Sequence, residues 1–442
     1  TMANDLTLLI EQTIASFTDR VIWVAYSGGV DSHVLLHLLA SSKALPIHCL
    51  KAIHIDHSLH DDSAQWVMHC AKVASTLGVD FQSIEVEVLN SHAMGVEAAA
   101  RRVRYQAIAG KLSTQDIVLT AQHQEDQAET LLLQLLRGAG PKGLSAMASL
   151  SSLGEGQMMR PFLNTTQVEI MAYATEHKLK WIDDPSNTNN QFNRNYIRHE
   201  VWPLIIKRWP SASRLLSRSA QHCNEADTLL ADLAKLDLAI VLGKGGENSL
   251  NIDGLLCLSS ERCKNLLRYF IDSHQFSLPS AAVLQRIIDE VCLSAEDSMP
   301  IIQWPGIQVR RYRGEIFFLK PQKAVNTSHA FLCKTPERLK LFEDCILTWL
   351  VVENMGISQA MFDDGLRVGF REGGEKIKLH GHQHHKSLKT LWQEWAIPPW
   401  ERDRIPLLFY GNELIAVVGY GLSEQCELAA GQEGYLPLLK SV

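Results

Sequence analysis

Apolar runs at residues 21–26, 50–55, 82–88 and 116–121 alternate with segments whose apolar positions recur every three to four residues. That alternation predicts parallel strands joined by helices. In the segment after residue 62, Trp66, Val67, Cys70, Val73, Ala74 and Leu77 share one face, Gly78 ends it, and Asp62 or Ser63 can cap it. Such units assemble into a doubly wound parallel sheet, where ligands sit at the carboxyl ends of the strands. The residues to inspect are therefore 27–32, Asp56 with His57, and 123–129.

Further along, the stretch W-I-D-D-P-S-N-T-N-N-Q-F-N-R-N-Y-I-R (181–198) leads into a helix bearing Arg194, Arg198, Lys207 and Arg208. Phe192, Tyr196, Trp202 and Trp209 are interleaved, a pattern that suits an RNA surface and equally a helix docking two domains. A long helical pattern follows over 211–239, then shorter ones at 259–273 and 281–293, closed by the strand I-F-F-L-K. Residues 321–336 are polar and proline-containing, as a linker is. The last segment opens with alternating strands and becomes dense in Arg, Lys and His over 367–389. A helix, a proline stop and a strand in L-W-Q-E-W-A-I-P-P-W-E-R-D-R-I-P-L-L-F then present that basic stretch.

The expected organisation is an α/β chain in three parts: a parallel-sheet nucleotide-binding domain (1–215), a small mostly helical domain (216–325) and a C-terminal α+β domain (335–442). A length of 442 residues accommodates this. With 46% hydrophobic and 21% charged residues and no apolar run of bilayer length, the composition excludes a helical membrane protein. No leader of basic, apolar and small residues precedes the first strand, so the expected compartment is the cytoplasm. The nine cysteines are scattered without a C-x-x-C pair and read as reduced. A net charge of −7 disfavours bulk attraction to nucleic acid and leaves that task to local basic strips.

Residues 27–32 read S-G-G-V-D-S between a buried strand and a helix. Gly28 and Gly29 let phosphates approach the backbone, and Ser27 and Ser32 add hydroxyl donors beside the N-terminus of a helical pattern beginning at His33, whose dipole favours anions. Asp31 would be repelled by a phosphate unless a cation such as Mg²⁺ lay between them. Asp56 and His57 close the second strand, I-H-I-D-H, where a nucleotide edge or ordinary turn chemistry fits. Glu97, Arg101 and Arg104 share one helical face; by spacing alone this is a salt-bridge ladder, although an arginine aimed at the phosphates would neutralise a leaving pyrophosphate. Asp126 and Glu129 face one way at the start of a helix, answering its dipole or holding a substrate ammonium. Lys376, Lys378, Lys386 and Lys389 are candidate phosphate-backbone contacts. His380, His382, His384 and His385 lack the spacing and accompanying ligands of a metal site.

The loop resembles that of the N-type ATP pyrophosphatases, and the Walker pattern is absent. Taken in order, S-G-G-V-D-S, I-H-I-D-H, E-A-A-A-R-R-V-R-Y, E-D-Q-A-E-T, R-P-F, W-I-D-D-P-S-N and F-N-R-N-Y-I-R resemble the motifs of the tRNA(Ile)-lysidine synthetase family. The resemblance implies adenylation by ATP of the wobble cytidine of a tRNA(Ile) with a CAU anticodon, followed by displacement of AMP by L-lysine. It implies phosphate binding by Ser27, Gly28, Gly29, Val30, Asp31 and Ser32, with Asp56 and His57 at the nucleotide. Mg²⁺ would sit at Asp31, and Arg101 would stabilise the leaving charge. Lysine would be bound by Asp126, Glu129 and Arg194, with Arg194 alternatively on the RNA. The tRNA would lie on Arg194, Arg198, Lys207 and Arg208 and on the four C-terminal lysines. The chain departs from the family pattern at Gln122 and Glu125, onto which no role is carried, and at Ser58.

Competing readings are a tRNA thiolation enzyme, which needs an activated cysteine or cluster that no C-x-x-C supplies, and a non-catalytic RNA-binding adaptor, which the intact Ser27, Asp31 and Ser32 disfavour.

Overall fold

The computed structural model describes residues 2–17, 20–57, 63–87, 96–183, 189–295, 298–321, 330–343 and 345–441. Ser58, Asp62 and residues 184–188 of the W-x-x-D-P-S-N motif lie outside them. Two compact units make up the chain, Thr1–Ala234 and Lys235–Val442.

In the first unit the strands β1 (Ile22–Ala25), β2 (Leu50–Asp56), β3 (Asp80–Glu85), β4 (Ile117–Leu119), β5 (Leu150–Leu153) and β6 (Gly156–Met159) form one sheet in the order β3-β2-β1-β4-β6-β5. All pairings are parallel except the β5–β6 hairpin. Helices α1 (Met2–Ile14), α2 (Val30–Ser41), α3 (Ser63–Thr76), α4 (Val96–Ala109) and α5 (Gln124–Leu136) connect and flank the strands. Strand order reverses between β1 and β4, so the crevice for ligands opens at their carboxyl ends. Residues 27–32 and 123–129 both emerge there.

The alternation along β1 explains its uninterrupted apolar run. Ile22 and Val24 enter the core beneath α1, α2 and the helix Gln167–Glu176, while Trp23 enters the opposite core with Ile53, Ile108, Val118 and Met158. Helix α2 is buried along most of its length, with Val34, Leu35, Leu36, Leu38 and Leu39 all inside. At about 1.5–3 kcal/mol for each fully buried aliphatic side chain, this packing anchors the phosphate loop at its helical end.

Strand β3 runs from Asp80 rather than residue 82 and stops at Glu85. It is an edge strand exposed at Asp80, Ser83 and Glu85 and fully buried nowhere, which weakens the apolar signal that would mark its ends. The serine-containing β5–β6 hairpin gave no such signal either.

The second unit opens with a four-stranded antiparallel sheet, β7 (Ser249–Asn251), β10 (Glu315–Leu319), β9 (Ile307–Tyr312) and β8 (Ile301–Trp304), with the helices Ser260–Ser273 and Ala281–Arg286. Only β10 was anticipated; β7 is short, β8 is exposed at alternate positions, and β9 carries Gln308, Arg310 and Arg311 within its run. A five-stranded and a three-stranded sheet follow, with a small hairpin, Lys376–Ile377 paired to Lys386–Ser387. That hairpin carries the basic stretch, and the strand Leu407–Tyr410 beyond the proline stop joins the five-stranded sheet. All nine cysteines are free thiols, and among the described residues no helix is long and apolar enough to cross a membrane.

Candidate active site

The loop after β1 is shaped by its glycines and tied by its serines. Gly28 has φ +89°, and a Cβ there would meet Cys70 Sγ at 3.0 Å and Ile182 Cδ1 at 3.1 Å. Its carbonyl accepts from Ile182 N at 3.0 Å, which fixes the loop against the chain at residue 182. Ser32 Oγ donates to Gly29 O at 3.0 Å, accepts from Ser27 N at 3.2 Å and lies 3.1 Å from Ser27 Oγ. Gly29 is the N-cap of α2 and offers no side chain to the first-turn N–H groups, leaving that end of the helix available to an anion. Cys70 beneath the loop is buried, and burial pushes its thiol up to about 12, which makes it inert as a nucleophile.

Asp31 stands on the first turn of α2 beside a charged cluster. Its Oδ1 is buried with no hydrogen-bond partner. Burial raises its pKa; His123 opposes the shift, and Asp126 adds to it. His123, the residue preceding α5, is 3% exposed and reaches three carboxylates. Its Nδ1 lies 3.0 Å from Glu125, and its Nε2 lies 3.4 Å from Asp126 and 3.9 Å from Asp31. Burial works against charge on the imidazole, but the Glu125 hydrogen bond and the Asp126 and Asp31 charges prevail and raise its pKa. Glu125 also accepts from Gln167 N at 2.9 Å, so it ties His123 to the helix Gln167–Glu176. Gln122 accepts from the Thr120 hydroxyl.

Asp126 and Glu129, one turn apart on α5, meet two arginines of the following helical segment. Arg194 donates to Glu129 Oε2 at 2.9 Å and to Asp126 Oδ1 at 2.8 Å. Arg198 donates to Glu129 Oε1 at 2.7 Å and Oε2 at 2.9 Å, and to Asp126 Oδ1 at 3.0 Å. The arginines come from Asn193–Tyr196 and the π-type turn Ile197–Val201, followed by Trp202–Arg208. Pro203 has no N–H to give to the carbonyl four residues back, and the widened turn accommodates that gap. Burial opposes ionisation of Asp126, but His123, Arg194 and Arg198 hold its pKa below the usual carboxylate value. Counted together, Asp31, Glu125, Asp126 and Glu129 set four carboxylates against the three cations His123, Arg194 and Arg198. With all seven groups ionised, the set carries one net negative charge.

The other expected residues are distributed around this centre. Asp56 ends β2 and His57 follows it directly. His57 Nε2 accepts from Arg104 at 3.2–3.3 Å, and burial together with that guanidinium lowers its pKa to about 4. Arg104 thus faces the second strand's end. Arg101 lies over the Tyr105 ring at 5.5 Å and within 4.0 Å of Met147 Sδ. The side chain of Glu97 lies outside the described residues, and with it the ladder reading. Arg160 of the R-P-F motif is buried and donates to Ala148 O at 2.7 Å.

The strip of four basic residues does not form one surface: Arg194 and Arg198 turn inward onto the carboxylates, while Lys207 and Arg208 stay exposed. Asp126 and Glu129, expected to face a substrate ammonium, are in this structure already occupied by those guanidiniums. In the second unit Lys376 and Lys389 are exposed, whereas Lys378 pairs with Glu424 at 2.7 Å and Lys386 with Glu394 at 2.9 Å. Sequence reading assigned no role to His123; its position just after β4 and before two acidic residues was the available signal. Among the described residues no three His, Cys, Asp or Glu side chains form a metal cage.

Comparison with known proteins is consistent with this geometry. The family model for the PP-loop domain matches residues 2–205, that for the TilS substrate binding domain residues 250–317, and that for the TilS substrate C-terminal domain residues 366–438. The tRNA(Ile)-lysidine synthase of Coxiella burnetii is 40% identical over 413 residues, covering 93% of this chain and 91% of the relative. The chain belongs to the tRNA(Ile)-lysidine synthase family. The Serratia proteamaculans member is likewise 40% identical, over 418 residues and 94% of each chain. The solved U34-tRNA thiolase NcsA from Methanococcus maripaludis overlaps 51% of this chain and 79% of its own at 16% identity, with a TM-score of 0.43. Membership makes the chain an ATP-dependent ligase with an N-terminal PP-loop domain.

Proposed function

We infer that the chain joins free L-lysine to carbon 2 of the wobble cytidine in tRNA(Ile) with a CAU anticodon, at the cost of one ATP cleaved to AMP and pyrophosphate. The observation that carries this reading is the junction of two half-sites at the carboxyl ends of β1 and β4. An anion-ready helix N-terminus stands beside a carboxylate and guanidinium cluster with one uncompensated negative charge. In the first step the cytidine carbonyl oxygen attacks the α-phosphate and pyrophosphate leaves. In the second the ε-amine of lysine, after losing a proton, attacks carbon 2 and AMP leaves.

Ser27, Gly28, Gly29, Val30, Asp31 and Ser32 would cradle the phosphates, and Asp56 with His57 would border the nucleotide. Asp31 fits a Mg²⁺ ion that keeps water and phosphate ligands, since its buried Oδ1 has no hydrogen-bond partner. Bound there, the ion would supply neutralising charge to the triphosphate. Arg101 would carry the charge of the departing pyrophosphate.

Free lysine is a zwitterion with an extra ammonium. Its carboxylate would take Arg194, and an ammonium would take Asp126 and Glu129, exchanging ion pairs held internally here. Lys207, Arg208, Lys376 and Lys389 would contact tRNA phosphates most directly, with Lys378 and Lys386 released from glutamates as the RNA docks. Arg198 would serve the RNA only by leaving the cluster. The cytoplasm supplies ATP, lysine and tRNA together, which supports a cytoplasmic enzyme.

The test is mass analysis of nucleosides after incubation with ATP, lysine and tRNA. A gain of lysine minus water on one cytidine is expected; an unchanged cytidine, or a sulfur-bearing one, overturns the reading. Inert Cys70 beside the loop and the lack of a C-x-x-C argue against sulfur transfer.

A further inference from the structure

We propose that the second unit holds an unpaired nucleobase of the RNA substrate in an aromatic pocket built around Tyr420. The proposal rests on the reading of this chain as a tRNA-modifying ligase and names a contact that the PP-loop site cannot provide.

The cavity measures about 480 Å³ and is walled by Leu379, Val417, Leu422 and residues 436–438, with Trp395, His380, His382 and Tyr420 among its lining residues. That size lies within the roughly 300–1,000 Å³ of small-ligand sites. Tyr420 and Trp395 stack with ring centroids 5.4 Å apart and planes at 24°. Trp395 in turn leans on the fully buried Trp392 at 6.0 Å, so the platform is fixed from below. Tyr420 is nonetheless 43% exposed, a large surface for an aromatic ring.

The backbone explains why the ring stands there. Tyr420 occupies the turn between the strands Glu413–Val417 and Gly421–Leu422, and Gly419 supplies φ +84°. At Gly421 a Cβ would come within 2.7 Å of Leu379 Cδ2, so the glycine lets that strand close on the pocket wall without displacing the leucine methyl.

The surroundings select the occupant. Leu379, His380 and His382 belong to the loop of the hairpin Lys376–Ile377/Lys386–Ser387, which carries lysines on the same segment. Two nearby carboxylates are each taken by a base, Glu424 by Lys378 at 2.7 Å and Glu427 by His380 Nδ1 at 3.7 Å, while burial, and Glu401 close by, raise the pKa of the Tyr420 hydroxyl. A flat ring platform with imidazole donors and acceptors beside it, on a basic hairpin, matches the way proteins hold splayed bases of RNA by stacking plus edge hydrogen bonds. Duplex RNA cannot enter such a pocket, so the occupant is a base outside a helix.

The test uses the full-length protein and unmodified tRNA transcript. Tyr420→Ala and Tyr420→Leu are expected to raise Kd and KM for tRNA about tenfold, as the loss of one base–aromatic stack does. The salt dependence of binding and kcat at saturating tRNA stay unchanged, and Tyr420→Phe stays within about twofold of wild type. Base-specific chemical probing should show one unpaired base protected in the wild-type complex and reactive in both the Ala and Leu complexes. Wild-type affinity in the Ala and Leu variants, a Phe variant as weak as Ala, or no base changing reactivity would each overturn the proposal. If wild type itself neither binds nor modifies tRNA, the functional reading fails instead; if it modifies tRNA while these variants match it, only the pocket fails.

Discussion

Glu129→Gln tests the charge cluster at its most buried member. Glu129 is 1% exposed and accepts three hydrogen bonds from two guanidiniums, at 2.7, 2.9 and 2.9 Å. Charge-assisted bonds contribute about 1.5–3 kcal/mol each, but these three share donors that Asp126 also holds, so they do not add. Removing one partner from a buried ion pair costs about 3–5 kcal/mol. The Arg198 side chain is 33% exposed, and water recovers part of its loss, which sets the expectation near the lower end, at about 3 kcal/mol. The amide also turns an N–H₂ donor toward guanidinium donors. Urea unfolding of wild type, Glu129→Gln, Arg198→Gln and the double variant measures this. The double variant should cost about 1–2 kcal/mol less than the sum of the single ones, because the stranded charge is gone with its partner. A coupling below about 0.5 kcal/mol refutes the reasoning. On the chemistry, pyrophosphate release and lysine incorporation are followed separately. Adenylation should persist while the lysine requirement rises about ten- to a hundredfold, the equivalent of one charge-assisted bond. Equal losses in both steps would assign Glu129 to ATP or its metal instead.

Further outcomes follow from other parts of the structure. Asp31→Ala should abolish pyrophosphate release while tRNA affinity, measured by filter binding, stays near wild type; release at the wild-type rate contradicts the assignment of this carboxylate. Gly28→Ala puts a methyl against Cys70 and Ile182 at a positive φ, and should destabilise the first unit by about 1–3 kcal/mol in urea titration and weaken ATP binding. Lys376→Ala and Lys389→Ala should each lower the slope of log K against log salt by about one unit, with smaller changes for the glutamate-paired Lys378 and Lys386. An equal slope in all four variants would make these lysines a solvated face. His33 is 5% exposed, and burial with His37 and His69 nearby lowers its pKa from 6.5 to about 4. The folded state therefore favours the neutral ring, and its contribution is complete above pH 6.5 and lost as pH falls toward 4, about 2 kcal/mol of it by pH 5. His33→Phe should reduce the loss of stability between pH 7.5 and 5 by that amount; an unchanged loss would show that the buried imidazole is not responsible.

The alternation of apolar runs and helical periodicity was enough to determine the parallel sheet, because β1 and β4 are apolar at every position and β2 keeps Leu50, Ala52, Ile53 and Ile55 despite Lys51, His54 and Asp56. The phosphate loop was legible for a local reason: glycines, hydroxyls and a helix start act through backbone geometry within six residues. The order of the motifs determined the family. Spacing also placed Asp126 and Glu129 on one face of α5. What they face was decided by the return of the chain some 65 to 72 residues later, when Arg194 and Arg198 close on them. No periodicity records such a long-range pairing, and exposed and buried arginines look alike in sequence. The same holds for His123, whose role depends on Asp31 arriving from a different helix, and for Tyr420, whose stacking partner Trp395 lies in a separate helix–turn segment. Local patterns are written by local sterics and burial, whereas charge pairing and ring stacking are set by which strand ends and turns the fold brings within a few ångströms of one another.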